Sequence, residues 1–259
     1  MKAMIFAAGL GTRLRPLTDN RPKALVEING RTMLEMTLAR LRRFGVSDVI
    51  INVFHFADMV EDYLRTNSNF GLHIEISRET TLLDTGGGLK RAAHFFRTDS
   101  GSDSANDSNQ PAALDEPFLV HNVDVLSTID LGRMVQFHID NQALATLAVQ
   151  DRKASRYLLF DDRLQLCGRR AGSGEPELVG GSEPMHALAF SGIHVISPRF
   201  LPMMTERGAF SIIASYLRVA GQGERILAYR ADENYWRDLG RPENIEQAAQ
   251  DLNQKVILQ

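Results

Sequence analysis

The chain opens Lys2-Ala3-Met4-Ile5-Phe6, then Ala7-Ala8-Gly9-Leu10-Gly11-Thr12-Arg13-Leu14-Arg15-Pro16-Leu17-Thr18, then Arg21-Pro22-Lys23-Ala24-Leu25-Val26-Glu27. A short apolar segment, the pattern of a buried strand, runs directly into two close glycines, two arginines and, further on, a lysine. A site for a polyphosphate needs this combination. Small residues let the backbone approach the anion, free N–H groups point at it, and cations neutralise it.

The loop differs from two common phosphate-binding patterns. A dinucleotide fingerprint requires a third glycine where Leu14 stands. It also wants an acid at the end of the second strand, and Ile50-Ile51-Asn52-Val53 supplies none. A Walker A loop continues Gly-Lys-Ser/Thr, whereas Gly11 is followed by Thr12-Arg13. The alternative to an anion cradle is a plain glycine turn followed by solvated arginines.

Outward from this loop, strand-like and helix-like segments alternate. Lys2–Ala8, Asp48–Val53, Leu72–Ser77, Phe118–Asn122 and Ala143–Gln150 read as strands. Thr32–Phe44 reads as a helix, with Leu34, Leu38 and Leu41 on one face and Gly45 at its end. Ala57–Thr66, Gly86–Phe96 and Leu131–Asn141 read as helices too. This predicts an α/β fold, a mostly parallel, mixed twisted sheet with helices on both faces. Ligands of such sheets bind beyond the carboxyl ends of the strands, where the opening loop and Asp124 fall. Beyond Asp151 the pattern changes: Tyr157–Phe160, Leu164–Cys167, Ala187–Ile196 and Arg225–Tyr229 read as strands, some of them antiparallel. Arg199–Met204, Phe210–Ala220 and Glu243–Leu252 read as helices. Thr98–Glu116, dense in Ser, Asp, Asn and Pro, reads as a flexible surface insertion. One domain over 1–259 is expected, with a nucleotide-binding half at 1–150 and a second half at 151–259.

Bulk properties bound the partners. The 259 residues are 44% hydrophobic and 24% charged, ordinary values for a globular chain with a sizeable core. The net charge of −3 favours neither nucleic acid nor an anionic membrane as the main partner. No apolar run approaches the roughly 18 residues of a membrane span. The single cysteine, Cys167, allows no internal disulfide and reads as a small buried hydrophobe. With no signal peptide ahead of the first strand, a cytoplasmic location is expected.

The opening segment, with its fixed spacing from glycines to lysine, closely resembles the signature of the sugar-1-phosphate nucleotidylyltransferases, the NDP-sugar pyrophosphorylases. Further motifs follow in family order over nearly the whole chain. Leu83-Asp84-Thr85-Gly86-Gly87-Gly88 resembles the second nucleotide-contacting loop, and His121-Asn122-Val123-Asp124 the strand end with the first metal-binding aspartate. Phe190-Ser191-Gly192-Ile193-His194-Val195 resembles the sugar-side strand, and Tyr235-Trp236-Arg237-Asp238-Leu239-Gly240 the segment with the second metal-binding aspartate. The Thr-Gly-Gly-Gly form and the absence of a long C-terminal extension look most like the short N-acetylmuramate-1-phosphate uridylyltransferases of cell-wall recycling. Short mannose- and heptose-1-phosphate guanylyltransferases look nearly as close. Cytidylyltransferases of phosphorylated alcohols, and silent regulatory subunits that bind nucleotide-sugars, are the other readings. All of Arg13, Lys23, Asp124 and Asp238 are present, as an active member requires.

The resemblance implies a Rossmann-like nucleotide-diphospho-sugar transferase fold and a reaction between a nucleoside triphosphate and a sugar 1-phosphate. Arg13 and Lys23 would be the catalytic cations, Arg13 at the β- and γ-phosphates and Lys23 at the α-phosphate and sugar phosphate. Ala7, Ala8, Gly9, Gly11, Thr12, Arg13, Thr85, Gly86, Gly87 and Asn122 would bind the nucleotide. Lys23, Gly192 and Trp236 would face the sugar phosphate, and Asp124 and Asp238 would share Mg²⁺. Taken singly, each aspartate also reads as a loop or capping carboxylate. Arg15 has two readings, a phosphate contact or a pair with an acid of its own loop. Two departures stand out. The Glu-Lys-Pro segment of many relatives is here Cys167-Gly168-Arg169-Arg170-Ala171, and the second loop, Thr80-Thr81-Leu82-Leu83, lacks a pyrimidine-reading glutamine.

Overall fold

The apolar segments of the first half become four neighbouring parallel strands. The computed structural model describes residues 1–97, 116–181 and 183–254. In chain order these form β1 (Lys2–Phe6), a two-residue hairpin of β2 (Glu27–Ile28) and β3 (Arg31–Thr32), α1 (Met33–Arg43), β4 (Asp48–Val53), α2 (Ala57–Thr66), β5 (His73–Arg78) and α3 (Asp84–Arg91). There follow β6 (Phe118–Asn122), β7 (Val125–Ser127), α4 (Leu131–Asp140), β8 (Ala145–Gln150), β9 (Arg156–Phe160), β10 (Leu166–Ala171) and β11 (Glu177–Leu178). The last elements are β12 (His186–Ile196), α5 (Ile212–Gly221), β13 (Ile226–Arg230), β14 (Trp236–Asp238) and α6 (Pro242–Asn253).

One ten-stranded sheet carries the order β11-β10-β9-β12-β6-β1-β4-β5, with β8 paired to β12 and β13 to β8. β6, β1, β4 and β5 run parallel, which aligns their carboxyl ends. β12 is antiparallel to β6, β8 and β9, and its register along β8 slips between Phe190 and His194. The sheet is therefore mixed, as the change of pattern past residue 151 implied.

Strand alternation explains the two faces. Side chains of β1 point alternately up and down, so Ala3 and Ile5 enter one core with Leu34, Leu38 and Leu41 of α1. Met4 and Phe6 enter the other, with Leu89 of α3 and Tyr216 of α5. Helix α1 starts where Thr32 accepts the Glu35 N–H at 3.0 Å, the capping pattern of Thr-x-x-Glu.

Several boundaries differ from expectation. β1 stops at Phe6, because Ala7 and Ala8 already turn into the loop. The helix expected at Gly86–Phe96 begins earlier, at Asp84, and gives way to a 3-10 turn over Ala92–Phe96. The strand expected at Leu164–Cys167 is β10, displaced towards Arg169 and Arg170. Arg199–Met204 is instead a 3-10 turn, Pro198–Met203, with Pro202 inside it. Of the insertion expected at Thr98–Glu116, only Glu116 falls within the described residues.

Candidate active site

The opening loop is held open by its own anchors. Gly11 sits at φ +64, and an added Cβ there would lie 3.0 Å from Thr18 Cγ2 and 3.2 Å from Lys23 Cβ. Its carbonyl accepts the Leu14 N–H at 2.8 Å and the Thr18 hydroxyl at 2.9 Å. Leu14 is fully buried and pins the turn, which leaves Gly9, Leu10, Thr12 and Arg13 at the surface. A second turn, Lys23–Leu25, carries Lys23 inward until it is only 9% exposed. Its Nζ donates to Asp124 Oδ2 across the mouth of the sheet.

The two predicted metal carboxylates are joined by a ribbon that sequence reading did not anticipate. β7 pairs with β14, so that Val125 lies opposite Asp238, and the Leu239 N–H donates to the Asp124 carbonyl at 2.7 Å. Asp238 Oδ1 accepts the Gly240 N–H at 2.7 Å. A Cβ on Gly240 would lie 2.7 Å from that oxygen and 2.8 Å from Arg13 Nη2, so Arg13 reaches over to the Asp238 side. Between the opening loop and the second loop lies a cleft of about 340 Å³. Phe6, Ala7, Ala8, Gly9, Lys23, Asn52, Leu82, Asp84, Thr85, Asn122, Val123, Asp124 and Ala209 line it.

A buried network ties the two loops together. The Ala7 N–H donates to Asn52 Oδ1 at 2.9 Å, and Asn52 Nδ2 donates to Glu79 Oε1 at 2.7 Å. Glu79 Oε2 in turn accepts the Leu83 N–H at 2.9 Å. Asn52 and Glu79 are both buried, and sequence reading missed both as site residues. The signal was available: each is a polar residue at the carboxyl end of a parallel strand. Glu79→Ala strands the buried Asn52 amide and the partly buried Leu83 N–H. We expect urea unfolding to show a loss of about 1–3 kcal/mol, and KM for the nucleoside triphosphate to rise by more than kcat falls.

Not every predicted contact lies open to a ligand. Gly86 and Gly87 are buried in α3, and both N–H groups face the Phe210 carbonyl, at 2.8 and 3.4 Å. A Cβ on Gly86 would overlap the Phe210 ring, so these glycines allow α3 to approach the segment before α5. That is a correction to the expectation of free backbone donors there; in this loop Leu82, Asp84 and Thr85 face the cleft. Gly192 lies in the β12 register slip, where a Cβ would meet Asn122 Nδ2 at 2.8 Å and Val125 Cγ2 at 3.0 Å. It backs the site rather than lining the cleft. Arg15 takes the second of its readings: it pairs with Asp19 at 3.4 Å, and both side chains are exposed. Arg169 forms an exposed pair with Glu177 at 2.7 Å. Trp236 donates from Nε1 to the Ser191 carbonyl at 2.7 Å.

His121, one position before Asn122 on β6, is fully buried. Burial first, and then the Arg40 charge, push it down to about 4, so it is neutral near pH 7. Two carboxylates, a lysine and an arginine, with a neutral histidine behind them, form a site for anions rather than for base catalysis.

Parallel strands with a glycine loop, a buried lysine and two aspartates at their carboxyl edge define a nucleotide-binding transferase. The nucleotidyl transferase family model matches residues 2–159, and the chain belongs to that family. It is 32% identical to an N-acetylmuramate alpha-1-phosphate uridylyltransferase of Caulobacter vibrioides, over 93% of this chain and 92% of that one. A protein of the same name from Neisseria meningitidis serogroup B is 30% identical, over 93% of each chain. In fold, the chain resembles a UDP-glucose pyrophosphorylase solved in complex with UDP-glucose. The TM-score is 0.75, with 18% identity, over 98% of both chains. The Rossmann-like nucleotide-diphospho-sugar transferase fold expected from the motifs is the fold observed.

Proposed function

We propose that this chain transfers a uridylyl group from UTP to a sugar 1-phosphate, forming a UDP-sugar and releasing pyrophosphate, with N-acetylmuramate 1-phosphate as the sugar substrate. The observation that carries this reading is the contact of buried Lys23 with Asp124 in a cleft that the opening loop walls. The names of the relatives at 32% and 30% identity support the choice of base and sugar. Residues 1–150 would serve the nucleotide, and the later half the sugar. Among the described residues no helix is long and apolar enough to cross a membrane. We place the reaction in the cytoplasm.

In the proposed reaction a phosphate oxygen of the sugar attacks the α-phosphorus of UTP, and pyrophosphate leaves in line. The nucleophile is already an anion, so the step requires no general base. Ala7, Ala8, Gly9, Gly11 and Thr12 present the loop backbone to the nucleotide, with Thr85 and Asn122 opposite. Arg13 neutralises the leaving pyrophosphate, where a planar fork suits phosphate oxygens. Lys23 is a compact charge that holds the α-phosphate against the incoming sugar phosphate.

Asp124 and Asp238 fit Mg²⁺. Two carboxylates at one end of the β7–β14 ribbon, with no third His, Cys, Asp or Glu clustered beside them among the described residues, match an ion that completes its shell with phosphates and water. When bound, Mg²⁺ would screen the repulsion between the two substrates and orient the α-phosphate. The deciding experiment pairs each common nucleoside triphosphate with N-acetylmuramate, N-acetylglucosamine, glucose and mannose 1-phosphates, and reads pyrophosphate release. UTP with the muramate ester should turn over fastest. Faster turnover of GTP with mannose 1-phosphate would replace this reading with the guanylyltransferase one.

A further inference from the structure

The ribbon that joins Asp124 to Asp238 is too small to hold its own shape. β7 and β14 contribute three residues each and form a separate two-stranded sheet. An isolated two-stranded ribbon is marginally stable at best. Its packing against α1 is incomplete, because a cavity of about 700 Å³ opens between them, walled by Met36, Ala39, Arg43 and Phe44 on one side and by Leu126 and Thr128 on the other. Arg40, also in that wall, reaches across. It donates from Nη1 to the Ser127 carbonyl and from Nη2 to the Ile129 carbonyl. These carbonyls flank Thr128, which β14 holds through Tyr235: the Thr128 N–H donates to the Tyr235 carbonyl at 3.0 Å, and the Thr128 hydroxyl accepts the Tyr235 N–H at 3.0 Å.

The same helix grips the chain on the other side of Asp124. Thr37 stands three residues before Arg40 and so on the same face. Its hydroxyl donates to the Met33 carbonyl at 2.9 Å and reaches the Val123 carbonyl at 3.5 Å. At its start α1 is tied to the lysine turn, where the Met33 N–H donates to the Val26 carbonyl at 3.0 Å. One rigid helix therefore carries both the Lys23 turn and the strand of Asp124. Arg40 holds its place at a cost: burial, opposed by Asp130 and reinforced by Arg43, pulls it down to about 10, so it stays charged at pH 7. Its chemistry suits the task. A charged donor bonds a carbonyl more strongly than a neutral one, and a planar fork fixes two acceptors at once, which an ammonium does not. Resting on the reading of Asp124 and Asp238 as the metal carboxylates, we infer that Arg40 is a positioning residue: by fixing Ser127 and Ile129 it sets where the ribbon presents the two aspartates.

The test measures Mn²⁺ binding in the presence of a non-hydrolysable UTP analogue. It compares the unaltered chain with Arg40→Gln, Arg40→Lys and, as a control for stability alone, Leu201→Ala. Leu201 is buried in the second core, a few residues past Ile196, which lies opposite Phe118 at the amino end of β6 and so at the far edge of the sheet from the aspartates. Arg40→Gln should raise the Mn²⁺ Kd by about 10-fold, the smaller cost typical of groups that only support a metal ligand. Binding of the analogue without metal, which reads the opening loop, should stay within about twofold, as for a distant site. Leu201→Ala should lower Tm and leave the Mn²⁺ Kd within about twofold. Arg40→Lys, with one ammonium for two carbonyls, should fall between Arg40→Gln and the unaltered chain, and it is the variant read if Arg40→Gln does not fold. A Kd unchanged in both Arg40 variants, or one raised as much in Leu201→Ala, overturns the inference. Absence of Mn²⁺ binding by the unaltered chain is a separate result, because it overturns the metal reading of the two aspartates and, with it, the role of Arg40 towards them.

Discussion

Lys23→Ala will lose turnover by roughly 100- to 1,000-fold in kcat, the cost of removing one preorganised charge from the developing negative charge at phosphorus. The expectation rests on where the ammonium is held. Its side chain is 11% exposed, that of its partner Asp124 is 18% exposed, and the turn at Lys23–Leu25 leaves it little freedom to move elsewhere. Deleting it also leaves Asp124 partly desolvated and without its cation, so stability should fall by about 1.5–3 kcal/mol. The two effects separate experimentally. Pyrophosphate release at saturating substrates reads the chemistry, and a urea titration reads the fold. Lys23→Arg should recover stability better than activity, because a guanidinium restores charge at Asp124 but spreads it over a plane. Activity within threefold of the unaltered chain would reduce Lys23 to a structural partner of Asp124.

The strands and helices of the first half were legible because parallel strands buried on both faces are continuous apolar runs with little room for ambiguity. Asp48–Val53 and Phe118–Asn122 form strands over those same residues, and Ala57–Thr66 is a helix over its whole length. The phosphate loop was legible for a chemical reason, since an anion site demands small residues and cations at short spacing. Long-range contacts were harder to read. Nothing local in Val125–Ser127 or Trp236–Asp238 says that these three-residue segments pair, yet their ribbon is what brings the two aspartates together. Glycines misled in the second loop. Gly86 is small because of Phe210, a residue more than a hundred positions away, and not because a ligand approaches it. Arg40 carried no motif at all, and its position is meaningful only once the Ser127 and Ile129 carbonyls lie beside it.

The ribbon also predicts that the two aspartates respond differently to loss of charge. Asp238 Oδ1 accepts a backbone N–H from Gly240, and an asparagine oxygen can do the same. Asp238→Asn should therefore keep the fold and weaken the metal alone. The Mg²⁺ concentration for half-maximal activity should rise by about 10- to 100-fold, at least the cost seen for groups that only support a metal ligand. Asp124→Asn should show the same shift together with a lower Tm, because Lys23 loses its counter-charge on a side chain with little access to water. Mn²⁺ binding in the presence of a non-hydrolysable triphosphate gives a readout independent of turnover. An unchanged metal requirement in both variants would remove the carboxylate pair from metal binding and leave Asp124 as the anchor of Lys23. A shift in Asp124→Asn alone would make Asp238 a partner for Arg13, the cation that shares Gly240 with it. The two single substitutions thus distinguish a shared ion from two separate charge pairs, because only a shared ion makes both variants respond to added metal.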